Sequence, residues 1–357
     1  MEGEQGTGDE AQEELHKETR AKLVPVKLEP FNAEAPLEAL THPRTPTDSF
    51  FVRSNYAEPE LPTATHRITV EGAVEAPLTL RLKDLARGPL REVTATVECA
   101  GNGRTAMSPL PEGEPWDKGA LSTAVWRGVP LAEVLGRARL RPNVLEILVE
   151  GADGEGSKRF ARALPVSKAM HPDTLLALEM NGEPLPRAHG APMRLIVPGW
   201  YGMASVKWVK RIEALTRPFS GYYQRERYIY DLSNGRAPEP VTRMRVKSLI
   251  LTPSEGARVA PGRVVVHGIA WSGERRVVQV EVAVDGGETW KPATLLEKPK
   301  PSAWVRWAFT WEDAKPGRHT LRARATDEAG ETQPETSQWN RLGYGNNAVM
   351  ARVVNVG

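Results

Sequence analysis

A chain of 357 residues, 40% hydrophobic and 26% charged, is long enough for roughly two or three packed domains. Its 47 basic and 45 acidic side chains nearly cancel, so there is no broad positive field and no nucleic-acid partner is expected. No apolar run approaches the ~18–20 residues that a helix needs to cross a bilayer, so no membrane span is expected either.

The first ten residues are acidic and polar, without a basic and apolar leader or a twin arginine. They point to a cytoplasmic protein, or to a periplasmic one if a leader has been removed. Residues 1–30 carry few aromatics and are expected to form a flexible tail, with a short helix over 11–23. Beyond the tail, 31 glycines and 30 prolines break the chain into short strands and long loops. Alternating apolar residues predict strands over 66–70, 78–82 and 93–97, the last with Val93, Ala95 and Val97 on one face. Leu131, Val134 and Leu135 fall at helical spacing and predict an amphipathic helix over 130–140. Asn181-Gly182 between apolar runs predicts a tight hairpin within 175–186. Buried or alternating strands follow over 194–197 and 206–215.

The texture changes near residue 240. Short alternating strands are expected over 248–252, 263–269, 277–284, 304–311 and 319–325, with Asp285-Gly286-Gly287 as a turn. Such a run fits an immunoglobulin-like β-sandwich. The predicted class is therefore α+β. The expected divisions are a tail (1–30), a domain of mixed sheets and short helices (31–243) and the sandwich (244–357).

One cysteine excludes an intrachain disulfide, a Cys-x-x-Cys-His haem attachment, a cysteine-rich zinc site and an iron–sulfur cluster. The seven histidines include no pair at the i, i+4 spacing of a helical metal site. Any redox metal would have to bring most of its own ligands. Cys99 follows a predicted strand and opens the turn Ala100-Gly101-Asn102-Gly103, with Arg104 close behind. It admits two readings: a thiolate that ligates metal or attacks, favoured by a nearby guanidinium, or a small buried hydrophobe at a strand end. Arg53, Arg104, Arg194, Lys207, Arg225 and Arg227 lie beside aromatic residues or Gly-containing turns. They suit either a small oxyanion or a solvated surface.

In order along the chain, these segments resemble the sulfite oxidase family of molybdenum enzymes, over about residues 45–355. Phe51-Val-Arg-Ser-Asn55 is similar to the family's first cofactor strand, and Cys99-Ala-Gly-Asn-Gly-Arg104 to its metal-ligand loop. Trp116 with Gly119-Ala-Leu-Ser-Thr123, Gly151-Ala-Asp153, the stretch from Glu179 to Gly190, and Pro192-Met-Arg194 continue the likeness. Ser205-Val-Lys207-Trp208 and Gln224-Arg-Glu-Arg-Tyr228 complete it before a C-terminal dimerisation domain.

The resemblance implies a molybdenum–molybdopterin cofactor whose dithiolene supplies two sulfur ligands, with Cys99 as the protein's ligand. Phe51, Val52, Arg53, Ser54, Asn55, Asp153, His189, Arg194, Ser205, Val206 and Lys207 would contact the pterin group. Arg53, Arg104, Trp116 and Tyr228 would form the catalytic pocket. The implied reaction is oxidation of sulfite to sulfate by oxygen-atom transfer. Electrons would pass to an external acceptor, a cytochrome or oxygen, and no haem is expected in the chain itself. A homodimer is implied.

Nitrate or S-oxide reduction on the same scaffold is the alternative, against which Tyr228 speaks. Four departures stand out. Asn55 and Ser205 replace histidines, Gly103 replaces a common arginine, and Leu342 stands where an oxyanion arginine would fall, with Arg341 displaced by one residue.

Overall fold

The computed structural model describes residues 21–231 and 237–357. Most of the helix expected over 11–23 therefore lies outside the described residues. Residues 21–30, read from the sequence as the end of a tail, include the strand Val24–Lys27, which pairs antiparallel with Asn32–Glu34. Leu23 and Phe31 flank it and bury against Ala33, Val52 and Ala188. A charged sequence is thus held by two apolar anchors, a pairing that local composition does not display.

Two five-stranded sheets follow, the first antiparallel and the second mixed. In the first, Arg91–Glu98 pairs with Leu121–Pro130, which pairs with Leu175–Met180. Leu175–Met180 carries Glu183–Pro184 and Arg194–Ile196. The predicted hairpin is present. Asn181 and Gly182 take φ of 54° and 89°, and Met180 faces Glu183 across the turn. The left-handed pair matches the twist of the strands. The second sheet runs Leu78–Arg81, Arg67–Gly72, Val209–Leu215, Glu146–Gly151 and Ala161–Pro165, with one parallel contact, between Arg67–Gly72 and Val209–Leu215. The amphipathic helix is Leu131–Ala138, and its apolar positions Leu131, Val134, Leu135 and Ala138 are buried.

The C-terminal strands form a sandwich of two sheets. One contains Lys247–Thr252, Gly262–Trp271, Val305–Ala314 and Thr294–Leu295. The other contains Arg258–Val259, Ala351–Val356, Gly317–Asp327, Val277–Ala283 and Lys291–Pro292. Alternation explains the packing: Val305, Trp307 and Phe309 from one sheet meet Leu321, Ala323 and Ala325 from the other. Gly268 is required beneath Trp307, because a Cβ there would lie 2.3 Å from the indole.

Two features tie the halves together. Trp271, Ile269, Leu249 and Trp304 share one continuous core with the residues of the two preceding sheets. The chain between Gly317–Asp327 and Ala351–Val356 leaves the sandwich and folds back, so that Gly345 donates to the Ala100 carbonyl at 2.8 Å. Leu342 and Tyr344 are buried there. No described helix is long and apolar enough to cross a membrane.

Truncating a sandwich side chain should show how much the interleaved core contributes. Leu321→Ala, at a fully buried position, is expected to lower stability by about 2–5 kcal/mol in urea unfolding. A loss below ~0.5 kcal/mol would mean the two sheets do not interlock there.

Candidate active site

Cys99 lies at the end of Arg91–Glu98, where pairing with the next strand stops. Its N–H donates to the Ala120 carbonyl at 2.8 Å, and its own carbonyl accepts from Asn102 N at 2.9 Å, closing the turn. Burial pushes the thiol above its ordinary range, and the charges of Arg53 and Arg104 pull the other way. Gly103 has φ of 84°, and a side chain there would strike Met350, Asn346 and Lys247. The position where an arginine was expected by resemblance is therefore crowded and held in a left-handed backbone that favours glycine, and a lysine from the sandwich stands beside it.

Behind the loop is a buried polar cluster. The Glu98 carboxylate accepts from Asn102 Nδ2 at 3.0 Å and from Trp271 Nε1 at 2.9 Å, and lies 3.6 Å from Lys247 Nζ. Both charged groups are almost fully enclosed. Burial pushes the Glu98 carboxyl up and the Lys247 ammonium down, while their mutual attraction opposes both shifts.

In front of the loop stand the arginines. Arg53 donates to Asn32 Oδ1 at 3.1 Å and Asn55 Oδ1 at 2.7 Å, and lies 3.6 Å from the Glu114 carboxylate. Arg104 is buried. Its Nε and Nη2 donate to the Leu342 carbonyl at 3.2 and 2.9 Å, and its Nη1 donates to the Glu114 carbonyl. Tyr228 is buried and stacks on Tyr344, with ring centroids 5.4 Å apart. Asn55 Nδ2 reaches the Tyr228 hydroxyl at 3.5 Å.

A cavity joins several of these parts. Phe51, Arg53, Ser54, Asn55, Cys99 and Tyr228 line it. Asp153, His189, Arg194, Ser205 and Lys207 line it as well. Lys207 Nζ donates to Ser54 Oγ at 2.7 Å and to the Ala188 carbonyl at 2.9 Å. Gly190 turns the chain here at φ of 109°, and a Cβ would crowd both Arg194 and Lys207.

Charge is unbalanced here. Arg194 is buried, its Nε has no hydrogen-bond partner among the described residues, and burial alone pushes its guanidinium down to about 9. Asp153 Oδ1 is likewise buried without a partner among the described residues, and burial raises its carboxyl. Burial lowers the Lys207 ammonium. Buried groups of this kind need complementary partners. An anionic ligand that also offers N–H donors would satisfy them. The donor set therefore fits a phosphate-bearing pterin, with the thiol left for a metal. Among the described residues, no three His, Cys, Asp or Glu side chains could hold a metal by themselves.

Four residues expected at the site do not line the cavity. Val52 buries in the cluster with Leu23 and Phe31, and Val206 is fully buried in the main core. Trp116 is fully buried and accepts from Thr105 N through its carbonyl. Arg104 is buried off the lining, held to backbone carbonyls. The substituted positions have other roles. Ser205 Oγ accepts from Val197 N at 3.1 Å, and Asn55 orients Arg53. Arg341 faces away, paired with Asp231 and Glu112 at 3.1 and 3.0 Å. The chain turns at this point, where Gly343 N donates to the Asn340 carbonyl at 2.9 Å.

Three residues near the site carried no sequence signal that singled them out. Tyr344 and Glu114 are two. The third is Arg162, buried with its guanidinium 5.7 Å from the Tyr228 ring centroid. Arg162 lies in a strand whose pattern gives no hint of an inward charge.

Residues 55–223 match the family described as oxidoreductase molybdopterin binding domain, and residues 239–356 match the Mo-co oxidoreductase dimerisation domain. The chain is 38% identical to mitochondrial sulfite oxidase of Mus musculus, over 89% of its own length and 63% of that protein's. It is 37% identical to sulfite oxidase of Gallus gallus, over 88% of this chain and 74% of that one. Among solved structures it is similar to the sulfane dehydrogenase SoxCD from Paracoccus pantotrophus, with a TM-score of 0.83, 31% identity, and coverage of 92% of this chain and 87% of that one.

The cluster behind Cys99 can be tested by stability alone. Glu98→Gln leaves the Lys247 ammonium buried without a countercharge and should cost about 3–5 kcal/mol in urea unfolding. The double change Glu98→Gln with Lys247→Met should cost clearly less than the sum of the two single changes. Additive losses would show that the two groups do not interact.

Proposed function

The chain belongs to the sulfite oxidase family of molybdopterin oxidoreductases, and from that premise we propose that it oxidises sulfite to sulfate and passes the electrons to a separate acceptor. The observation that carries the proposal is one cavity lined by two kinds of group. A lone buried thiol, Arg53 and Tyr228 line it together with Lys207 and an Arg194 whose Nε has no hydrogen-bond partner among the described residues.

In this reading Arg194 and Lys207 hold the anionic end of a molybdopterin, and Asp153 and His189 hold its ring edges. Ser54 acts through the Lys207 ammonium that it receives. Cys99 ligates molybdenum. When bound, that group supplies oxygen-atom transfer and stores the two electrons released.

The protein's own residues bind and orient the substrate. Arg53, kept in place by Asn32 and Asn55, faces the oxyanion with a charge-assisted donor. Arg104 contributes mainly charge, because all three of its nitrogens are engaged by backbone carbonyls. Tyr228 presents a phenol whose ring is fixed by Tyr344. The buried Phe160 lines the pocket and replaces bulk water there, which strengthens each of these interactions. The acceptor is an external one-electron carrier, a cytochrome, with oxygen as the other candidate. The match of residues 239–356 to a dimerisation domain supports a homodimer.

The purified protein should contain molybdenum in proportion to chain and should reduce ferricyanide when sulfite is added. Cys99→Ser should abolish that rate while cooperative melting is retained, and persistent sulfite oxidation would sink the metal-ligand role. Arg53→Gln should lower kcat/KM for sulfite by about 10²-fold or more. Light scattering at micromolar concentration should give twice the chain mass, and a monomer mass would refute the dimer.

A further inference from the structure

We propose that Asn32, in the N-terminal strand pair, is a positioning residue for the reaction. Its amide oxygen sets the direction of Arg53 toward the oxyanion and at the same time fixes Ser54, on which Lys207 rests. The proposal builds on the sulfite-oxidising reading of the same cavity.

Asn32 is fully enclosed. Its Oδ1 accepts from Arg53 Nη1 at 3.1 Å and from Ser54 N at 2.8 Å. Two donors use both lone pairs of an amide oxygen. Arg53 Nη1 also donates to the Ser54 carbonyl, and Lys207 Nζ donates to Ser54 Oγ at 2.7 Å. Arg53, Ser54 and Lys207 line the cavity, whereas Asn32 does not. One side chain outside the lining therefore joins the guanidinium assigned to substrate with the loop that receives the lysine assigned to pterin.

Asn32 is itself held on both sides. Its Nδ2 donates to the Pro30 carbonyl at 2.8 Å. The next residue, Ala33, exchanges backbone hydrogen bonds with Val52 at 3.0 and 2.9 Å. Leu23 and Phe31 bury against Ala33, Val52 and Ala188. The amide is thus a fixed point on a paired strand, and the longer, freer Arg53 side chain is oriented against it. Holding a binding group in its working direction before the ligand arrives lowers the cost of binding.

The residue type suits the task. Arg53 Nη2 is engaged by Asn55 Oδ1 at 2.7 Å and lies 3.6 Å from the Glu114 carboxylate, which competes with any bound anion for the same charge. Asn32 engages the other terminal nitrogen and resists that pull. A neutral amide orients a guanidinium through a charge-assisted bond and leaves its positive charge for the ligand. A carboxylate in the same place would orient Arg53 equally well but would offset that charge in a weakly screened interior.

The test uses the molybdenum-loaded protein with sulfite and ferricyanide, and calorimetric titration with sulfate as a readout without turnover. Asn32→Leu should raise KM by about tenfold or more while kcat falls by less than about threefold, and should weaken sulfate binding to the same extent. Asn32→Asp keeps an acceptor for Ser54 N but sets a carboxylate on Arg53. It should weaken both KM and sulfate binding at least as much, although it melts cooperatively. Asn32→Leu removes the acceptor of Ser54 N and should lose molybdenum on dialysis faster than Asn32→Asp. Leu23→Ala loosens the same strand pair away from the cavity. It should lower the melting temperature yet keep KM and sulfate affinity within about twofold of wild type.

Sulfite oxidation with KM and sulfate affinity unmoved in both Asn32 variants would overturn the inference and leave the sulfite reading intact. So would a Leu23→Ala protein whose KM rises as far as that of Asn32→Leu, because the strand pair as a whole would then be responsible. Equal loss of molybdenum from the two Asn32 variants would refute the part played through Ser54. If Asn32→Leu does not melt cooperatively, the isosteric Asn32→Asp decides the question. A wild type that binds sulfate without oxidising sulfite would sink the sulfite reading alone, and weaker sulfate binding by the Asn32 variants would still support the positioning role. A wild type that does neither refutes both.

Discussion

The buried carboxylate of Glu98 accepts from Asn102 in the Cys99 loop and from Trp271 in the sandwich, and faces Lys247. This contact is the constraint that anchors the Cys99 loop from both halves of the chain. An isolated charge in such surroundings is strongly unfavourable, so each partner requires the other. Lys247 also reaches the Asn102 carbonyl at 3.5 Å, so it grips the same loop through backbone. The C-terminal sandwich is thus part of the site's scaffold, whatever else its outer surface does. The return segment containing Tyr344 repeats the arrangement on the substrate side, bonding to Ala100 and, through Asn346, to Gly103.

The cavity itself is organised by imbalance. Arg53 is surrounded by acceptors and a carboxylate. Arg194, by contrast, has no countercharge and Asp153 has an open oxygen. A folded protein keeps such groups buried only when surrounding packing over-determines them or when a ligand completes them. In the proposed reading the surroundings of Arg194 and Asp153 are of the second kind, to be completed by the pterin. The surroundings of Arg53 and Arg104 are largely complete already, because both guanidiniums are held by the protein itself. That difference suits a resident cofactor beside Arg194 and a small, exchanging anion beside Arg53.

Several elements were legible in local pattern. The helix Leu131–Ala138, the Asn181-Gly182 hairpin and the alternating strands of the sandwich follow from periodicity and turn chemistry, which act over a few residues. Motif order also pointed to the family, and eleven of the expected site residues line the cavity. The strand Val24–Lys27 was not legible, since its anchors Leu23 and Phe31 sit among charges and gain their value only against Val52 and Ala188. The inward turn of Arg162 was equally hidden, because its neighbours read as an ordinary buried strand.

By itself, the sequence determined that a redox metal here must come with its own ligands, since one cysteine and scattered histidines cannot form a complete site. It also determined which segments carry the arginines and the tyrosine. Only the tertiary structure decided which of those side chains face the cavity. Arg53 and Tyr228 do; Arg104 is held off the lining on backbone carbonyls; Arg341 points to solvent, and Tyr344 packs against the Tyr228 ring. The physical reason is that orientation after a turn depends on which distant groups are available as partners. Asp231 and Glu112 draw Arg341 outward, and the Tyr228 ring receives Tyr344, across separations that no local pattern encodes.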